Sequence, residues 1–135
     1  APCEQLRESA ATALAAAVLA KATKHLPARS GEVASAALRA AEFVLREVLP
    51  SQRFSDFETF FSCSPKEVDW EDRIAGIPPQ NTLSMQWVAD MCLAVHQLTG
   101  ERRWLEHGEH VLSMISLYQQ VWSPPYFMQD AYMFG

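Results

Sequence analysis

The chain is poor in the features that mark most specialised functions. Positive charge is scarce: 11 Lys and Arg stand against 16 Asp and Glu, for a net charge of −5. The basic residues, from Arg7 to Arg103, are scattered, and no face is basic enough to hold a polyanion, so nucleic acid is not an expected partner. Long apolar runs are also missing. The most apolar stretch, "AATALAAAVLA" at 10–20, is mostly alanine and too short to span a bilayer. No secretory leader pattern is readable in the chain as it stands.

Cysteine is sparse. Cys3, Cys63 and Cys92 have no metal-site spacing, and Cys92 reads as a free buried thiol on a helix. Phosphate loop, dinucleotide fingerprint, calcium loop and glycine-framed serine elbow are all lacking. Ser62, Ser64 and Ser84 therefore make no nucleophile argument, and Cys63 has no evident histidine partner. "LEHGEH" sets His107 and His110 three apart on a helix, but structural zinc takes four ligands and the spacing is not H-E-x-x-H. A solvated charged face is the better reading. Neither a metal nor a cofactor is expected.

What is present is helical pattern. With 135 residues, 49% of them apolar, the chain is large enough for one real core. The expected fold class is all-α, as antiparallel helical hairpins in one unit over 1–135. The hairpins are placed at 4–49 and 82–122, with a long aromatic loop at 50–81 and a tail at 123–135. In the first helix Leu6, Ala10, Ala13, Leu14, Ala17 and Val18 repeat at three and four, and the pattern runs to about His25. Pro27 and Gly31 interrupt it. From Glu32 a stripe of Val33, Ala37, Ala41, Val44 and Val48 follows, widened by Leu38, Leu45 and Leu49, until Pro50 ends it. Asn81 or Thr82 is placed to cap the third helix, and Gly100 to end it by turning left-handed. The fourth helix begins at once, carries Trp104, Gly108, Val111, Leu112 and Ile115, and is read as far as Val121.

The two halves look alike. Glu42, Val44 and Leu45 recur in order and spacing as Glu109, Val111 and Leu112. Each hairpin turns briefly at one end and releases an aromatic-rich segment at the other, so both segments should leave on one side. The first, "RFSDFETFFSCSPKEVDW" at 53–70, carries Phe54, Phe57, Phe60, Phe61 and Trp70 among carboxylates. A connection this long in a compact domain is usually functional or disordered, and its aromatic content argues against disorder.

The stretch "NTLSMQWVADMCLAVHQLTGERRWLEHGEHVLSMISLYQQV" resembles a hairpin of the six-hairpin glycosidase-like α/α toroids, most clearly over 81–122. The resemblance implies a ring of helical hairpins with a loop-lined carbohydrate cleft at one end. Four helices supply two such hairpins, which implies a part of a larger toroid or a relative that completes its core by self-association.

Glycoside chemistry uses two carboxyl groups roughly 5–9 Å apart. In extended backbone Asp56 and Glu58 would share a side with Cβ atoms about 6–7 Å apart, which makes them the candidate general acid and base. Trp70, Trp122 and Tyr126 are candidate stacking platforms, with Gln80, Asn81, Gln119 and Asp130 supplying polar contacts to a saccharide ligand. The competing account is that these aromatics plug the end of the core. Two functions result: a carbohydrate-binding or glycoside hydrolase-like toroid protein, or a non-enzymatic helical interaction module that self-associates through its aromatic rim. The compartment stays open, leaning to secreted or periplasmic.

Overall fold

A computed structural model of the chain describes residues 9–54, 71, 73–74, 76–78 and 80–119. Among the described residues the fold is all-helical. Helix α1 is Ser9–Ala22, α2 is Ser30–Phe43, α3 is Thr82–Thr99 and α4 is Arg102–Ser116. Two single 3-10 turns, Thr23–His25 and Pro27–Arg29, join α1 to α2. Helix α1 packs on both α2 and α3, and α3 packs on α4, so α1 and α3 form the centre with α2 and α4 outside.

The expected start of α2 at Glu32 moves to Ser30, because Pro27 begins a 3-10 turn that feeds straight into the helix. Its far end widens into a π-helical turn at Val44–Val48, closed by the Leu49 N–H donating to the Val44 carbonyl at 3.0 Å. This turn keeps both Val44 and Val48 in the core. Pro50 has no N–H to give, and the Ser51 hydroxyl instead donates to the Glu47 and Val48 carbonyls. Gln52 then takes a left-handed backbone (φ 51°), and Phe54 turns fully inward.

The α3–α4 hairpin follows the reading of its signals. The Asn81 side chain caps α3, its Oδ1 accepting the Leu83 N–H at 2.8 Å and the Ser84 N–H at 3.4 Å. Gly100 stops α3 with φ 75° while its N–H donates to the His96 carbonyl at 2.7 Å. Helix α4 ends at Ser116, short of the expected Val121. Leu117 and Tyr118 close on Met114 and Ile115 by tight three-residue bonds, and Leu117 is largely exposed.

The clearest departure from the sequence reading is in α1. Ala13, Ala16, Ala17 and Ala20 are at most 2% exposed, whereas Leu14 and Val18, assigned to the apolar face, are 36% and 55% exposed. Alanine has the best helix propensity and the smallest side chain above glycine, so the helix loses nothing by facing its neighbours with it. Close approach then brings Met85, Val88, Met91 and Val95 of α3 into the space, and these larger groups supply the buried area.

The two hairpins bury matching positions. Val88, Met91, Cys92 and Val95 on α3 repeat the spacing of Ala13, Ala16, Ala17 and Ala20 on α1, and all are buried. Likewise Trp104, Gly108 and Val111 on α4 repeat Ala37, Ala41 and Val44, again all buried. The likeness seen in three residues of sequence thus extends through the packing.

The alanine interface makes a test that inverts the usual expectation. Ala17→Leu should destabilise the fold by about 1–3 kcal/mol through overpacking, while Leu14→Ala should stay within about 0.5 kcal/mol of the parent chain. Urea denaturation of both variants measures this, and a larger loss for Leu14→Ala would refute the packing described.

Candidate functional site

Leu14, Val18 and Lys21 stand three and four residues apart, which places them on one stripe of α1. Gln86, Asp90 and Leu93 form a stripe of α3 in the same way, and Leu105, Glu109 and Leu112 one of α4. The Lys21 ammonium donates to both Asp90 oxygens, at 2.8 and 2.6 Å, and so sets the first stripe beside the second. The α3 and α4 stripes face a shared groove of about 320 Å³ lined by Gln86, Ala89, Asp90, Leu93, Leu105, Gly108, Glu109 and Leu112. Together the three helices present one open aliphatic face. On it Val18, Leu93 and Leu112 are each about half exposed (55%, 47% and 55%).

Gly108 shapes the groove floor. A Cβ added there would meet the Cys92 Cβ at 3.2 Å and the Ala89 carbonyl at 3.9 Å. Its absence lets α4 lie close on α3 and leaves a floor of Gly108 and Ala89 between leucine walls. Such a trough accepts apolar side chains from a third element, in the way that an amphipathic helix lies in a groove.

The rim is charged unevenly. On the α3 side Asp90 is neutralised by Lys21. On the α4 side Glu109 forms no ion pair among the described residues. Its counterpart in the first hairpin, Glu42, is paired with the Arg103 guanidinium of α4. Arg103 also donates to Glu101 at 2.6 Å and lies 4.7 Å from the centre of the Trp104 ring. This one side chain therefore joins the start of α4 to α2.

At one end of the molecule a second, shallower depression of about 420 Å³ is lined by Thr82, Gln86, Leu112, Ile115, Ser116, Tyr118 and Gln119. It shares Gln86 and Leu112 with the groove. Here the start of α3 meets the end of α4, so the described flanks of the loop and the tail do share one end. Gln119 lies on this depression, exposed. Gln80 and Asn81 hold local structure beside it: the Gln80 amide donates to the Gln52 and Pro78 carbonyls at 2.7 and 3.0 Å, and the Asn81 N–H to the Phe54 carbonyl at 2.7 Å. Asp56, Glu58, Trp70, Trp122, Tyr126 and Asp130 lie outside the described residues.

No protein-family model, no curated protein and no solved structure matches this chain. Among the described residues no group of three or more His, Cys, Asp or Glu is placed to hold a metal ion, and no helix is long and apolar enough to cross a membrane. His110 is exposed and His107 partly so on the outer side of α4.

The open aliphatic face was missed by the sequence reading, although a signal for it exists. Leu93 stands among Gln86, Asp90 and Gln97 on what is otherwise the polar stripe of α3, where no core-facing role accounts for a leucine.

Two buried groups in this region have no chemical part. The Trp104 indole N–H is buried without an acceptor among the described residues, a cost of about 1–3 kcal/mol that the packing of its ring offsets. Cys92 is buried beneath the groove, and loss of solvent raises its thiol pKa from 9.0 to about 12. The thiol stays protonated and unreactive at neutral pH. Because the unfolded chain releases this proton from about pH 9, the Cys92 contribution to stability is full below that pH and is lost as pH climbs towards 12. Iodoacetamide at pH 8 should leave the Cys92 peptide unmodified in the folded protein and label it fully in denaturant, as read by peptide mass spectrometry. Rapid labelling of the native protein would contradict the burial.

Proposed function

We propose that this chain is a non-enzymatic helical interaction module whose working surface is the aliphatic face of α1, α3 and α4. The observation that carries the reading is the α3–α4 groove, floored by Gly108 and Ala89, with Leu93 and Leu112 half in water. Covering these two leucines would contribute roughly 1 kcal/mol each, and no element among the described residues covers them. Contiguous exposed apolar surface of this kind marks a docking site.

The matching burial of the two hairpins supports a finer form of this reading. They act as two repeats of an α/α toroid of the six-hairpin glycosidase-like kind, joined by the aromatic loop at 50–81, and a helical repeat buries its open side on a neighbour. The self-association expected through the aromatic rim, residues 53–82 and 119–132, falls largely outside the described residues.

A saccharide reading stands second. The depression at the start of α3 favours it, since Tyr118 is half exposed there among the polar side chains of Thr82, Gln86, Ser116 and Gln119. In that reading Tyr118 is the stacking platform and the amides bind hydroxyls. Hydrolysis by Asp56 and Glu58 would be an addition to it.

A synthetic helix with a leucine stripe and uncharged glutamine flanks should bind the protein, by fluorescence anisotropy. Leu112→Glu should abolish binding while changing stability by no more than about 0.5 kcal/mol, as expected of an exposed site. A glycan array that responds, with loss in Tyr118→Ala, would instead favour the saccharide. Peptide binding unaffected by Leu112→Glu would remove the groove from the account.

A further inference from the structure

We infer that the partner of the α3–α4 groove is a helix carrying an arginine or lysine that pairs with Glu109, a conclusion that rests on the docking reading above. The chain contains its own precedent. Glu42 is to the first hairpin what Glu109 is to the second: each precedes a buried valine by two residues and a leucine by three (Val44 and Leu45, Val111 and Leu112). The Glu42 carboxylate is met by the second hairpin, which presents Arg103 from the first turn of α4, while the α2 surface beside it, with Leu38 and Arg46, stays open. The surface around Glu109 has the same acid and the groove, but no cation paired with that acid among the described residues.

The rest of the rim points the same way. Lys21 already neutralises Asp90 on the α3 side, so Glu109 is the unbalanced charge of the groove. A partner with a leucine or isoleucine stripe would fill the trough over Gly108 and Ala89. A cation on its α4-facing flank would answer Glu109, and an acid there would be repelled by it and by a chain of net charge −5.

A second copy of this chain does not offer that chemistry at the matching place. Arg103 is engaged by Glu42 and Glu101, and the residue of the first hairpin that corresponds to it is Ala36. The occupant is therefore a basic amphipathic helix that these four helices do not supply.

Three synthetic helices of about eighteen residues, identical in their leucine stripe and flanked by Arg, Gln or Glu, test this against the whole chain. The Arg-flanked helix should bind about fivefold more tightly than the Gln-flanked one, and the Glu-flanked helix more weakly than either. The Arg advantage should vanish in Glu109→Gln and shrink at high salt. Circular dichroism of Glu109→Gln, a surface change, confirms that the fold is intact. Equal binding of the Arg and Gln helices, lost in Leu112→Glu, would leave the docking reading standing and overturn the basic partner. An Arg advantage that persists in Glu109→Gln would overturn it as well. Failure of all three helices would remove both. A concentration-dependent dimer by light scattering, abolished by Leu112→Glu, would put a second copy in the groove and overturn the inference.

Discussion

Four alanines on α1 set how closely α3 can approach, and most of the molecule follows from that contact. Small side chains allow two helix backbones to lie near one another, and the methionines and valines of α3 then reach past them into the core. With Ala13, Ala16, Ala17 and Ala20 turned inward, Leu14 and Val18 have no place inside. They end on the surface beside the free side of α3. The open aliphatic face is thus a consequence of how the core is packed.

The same geometry joins stability to function. Lys21 and Asp90 tie α1 to α3 at the edge of the groove, and Arg103 ties α4 to α2 at the other side of the bundle. Each of these ion pairs is half exposed and contributes little to stability on its own. Their importance is positional: the first neutralises one rim of the groove, and the second shows what meets a glutamate on the outer helix of a hairpin. Glu109, on the second outer helix, has no such partner among the described residues, which is why the proposed docking surface assigns recognition to it.

Much of the hairpin chemistry was legible in the residues. Asn81 as a cap, Gly100 as a left-handed stop and Pro50 as a breaker act through short-range rules that hold wherever the chain goes, and Cys92 lies on an apolar stripe that packing then buries. Helix ends were less so. The π-helical turn at Val44–Val48 keeps two valines inward at the cost of regular bonding, and only the neighbouring packing makes that favourable. Helix α4 stops at Ser116, where Leu117 is largely exposed and Tyr118 half exposed, so little burial among the described residues rewards a further turn. Of the residues assigned to a saccharide, Gln80 and Asn81 hold the backbone beside them through side-chain hydrogen bonds, and Gln119 stands exposed on the end depression.

The sequence by itself determined the all-helical class, the tight α3–α4 hairpin and the likeness of its two halves, because propensity, capping and turn chemistry act within a few residues. Only the tertiary structure decided which side of α1 is the inside. A helix with alanines on one stripe and aliphatics on the next can bury either. The choice belongs to the partner helix, whose larger side chains fill the volume that alanine leaves and leave the leucine and valine to water.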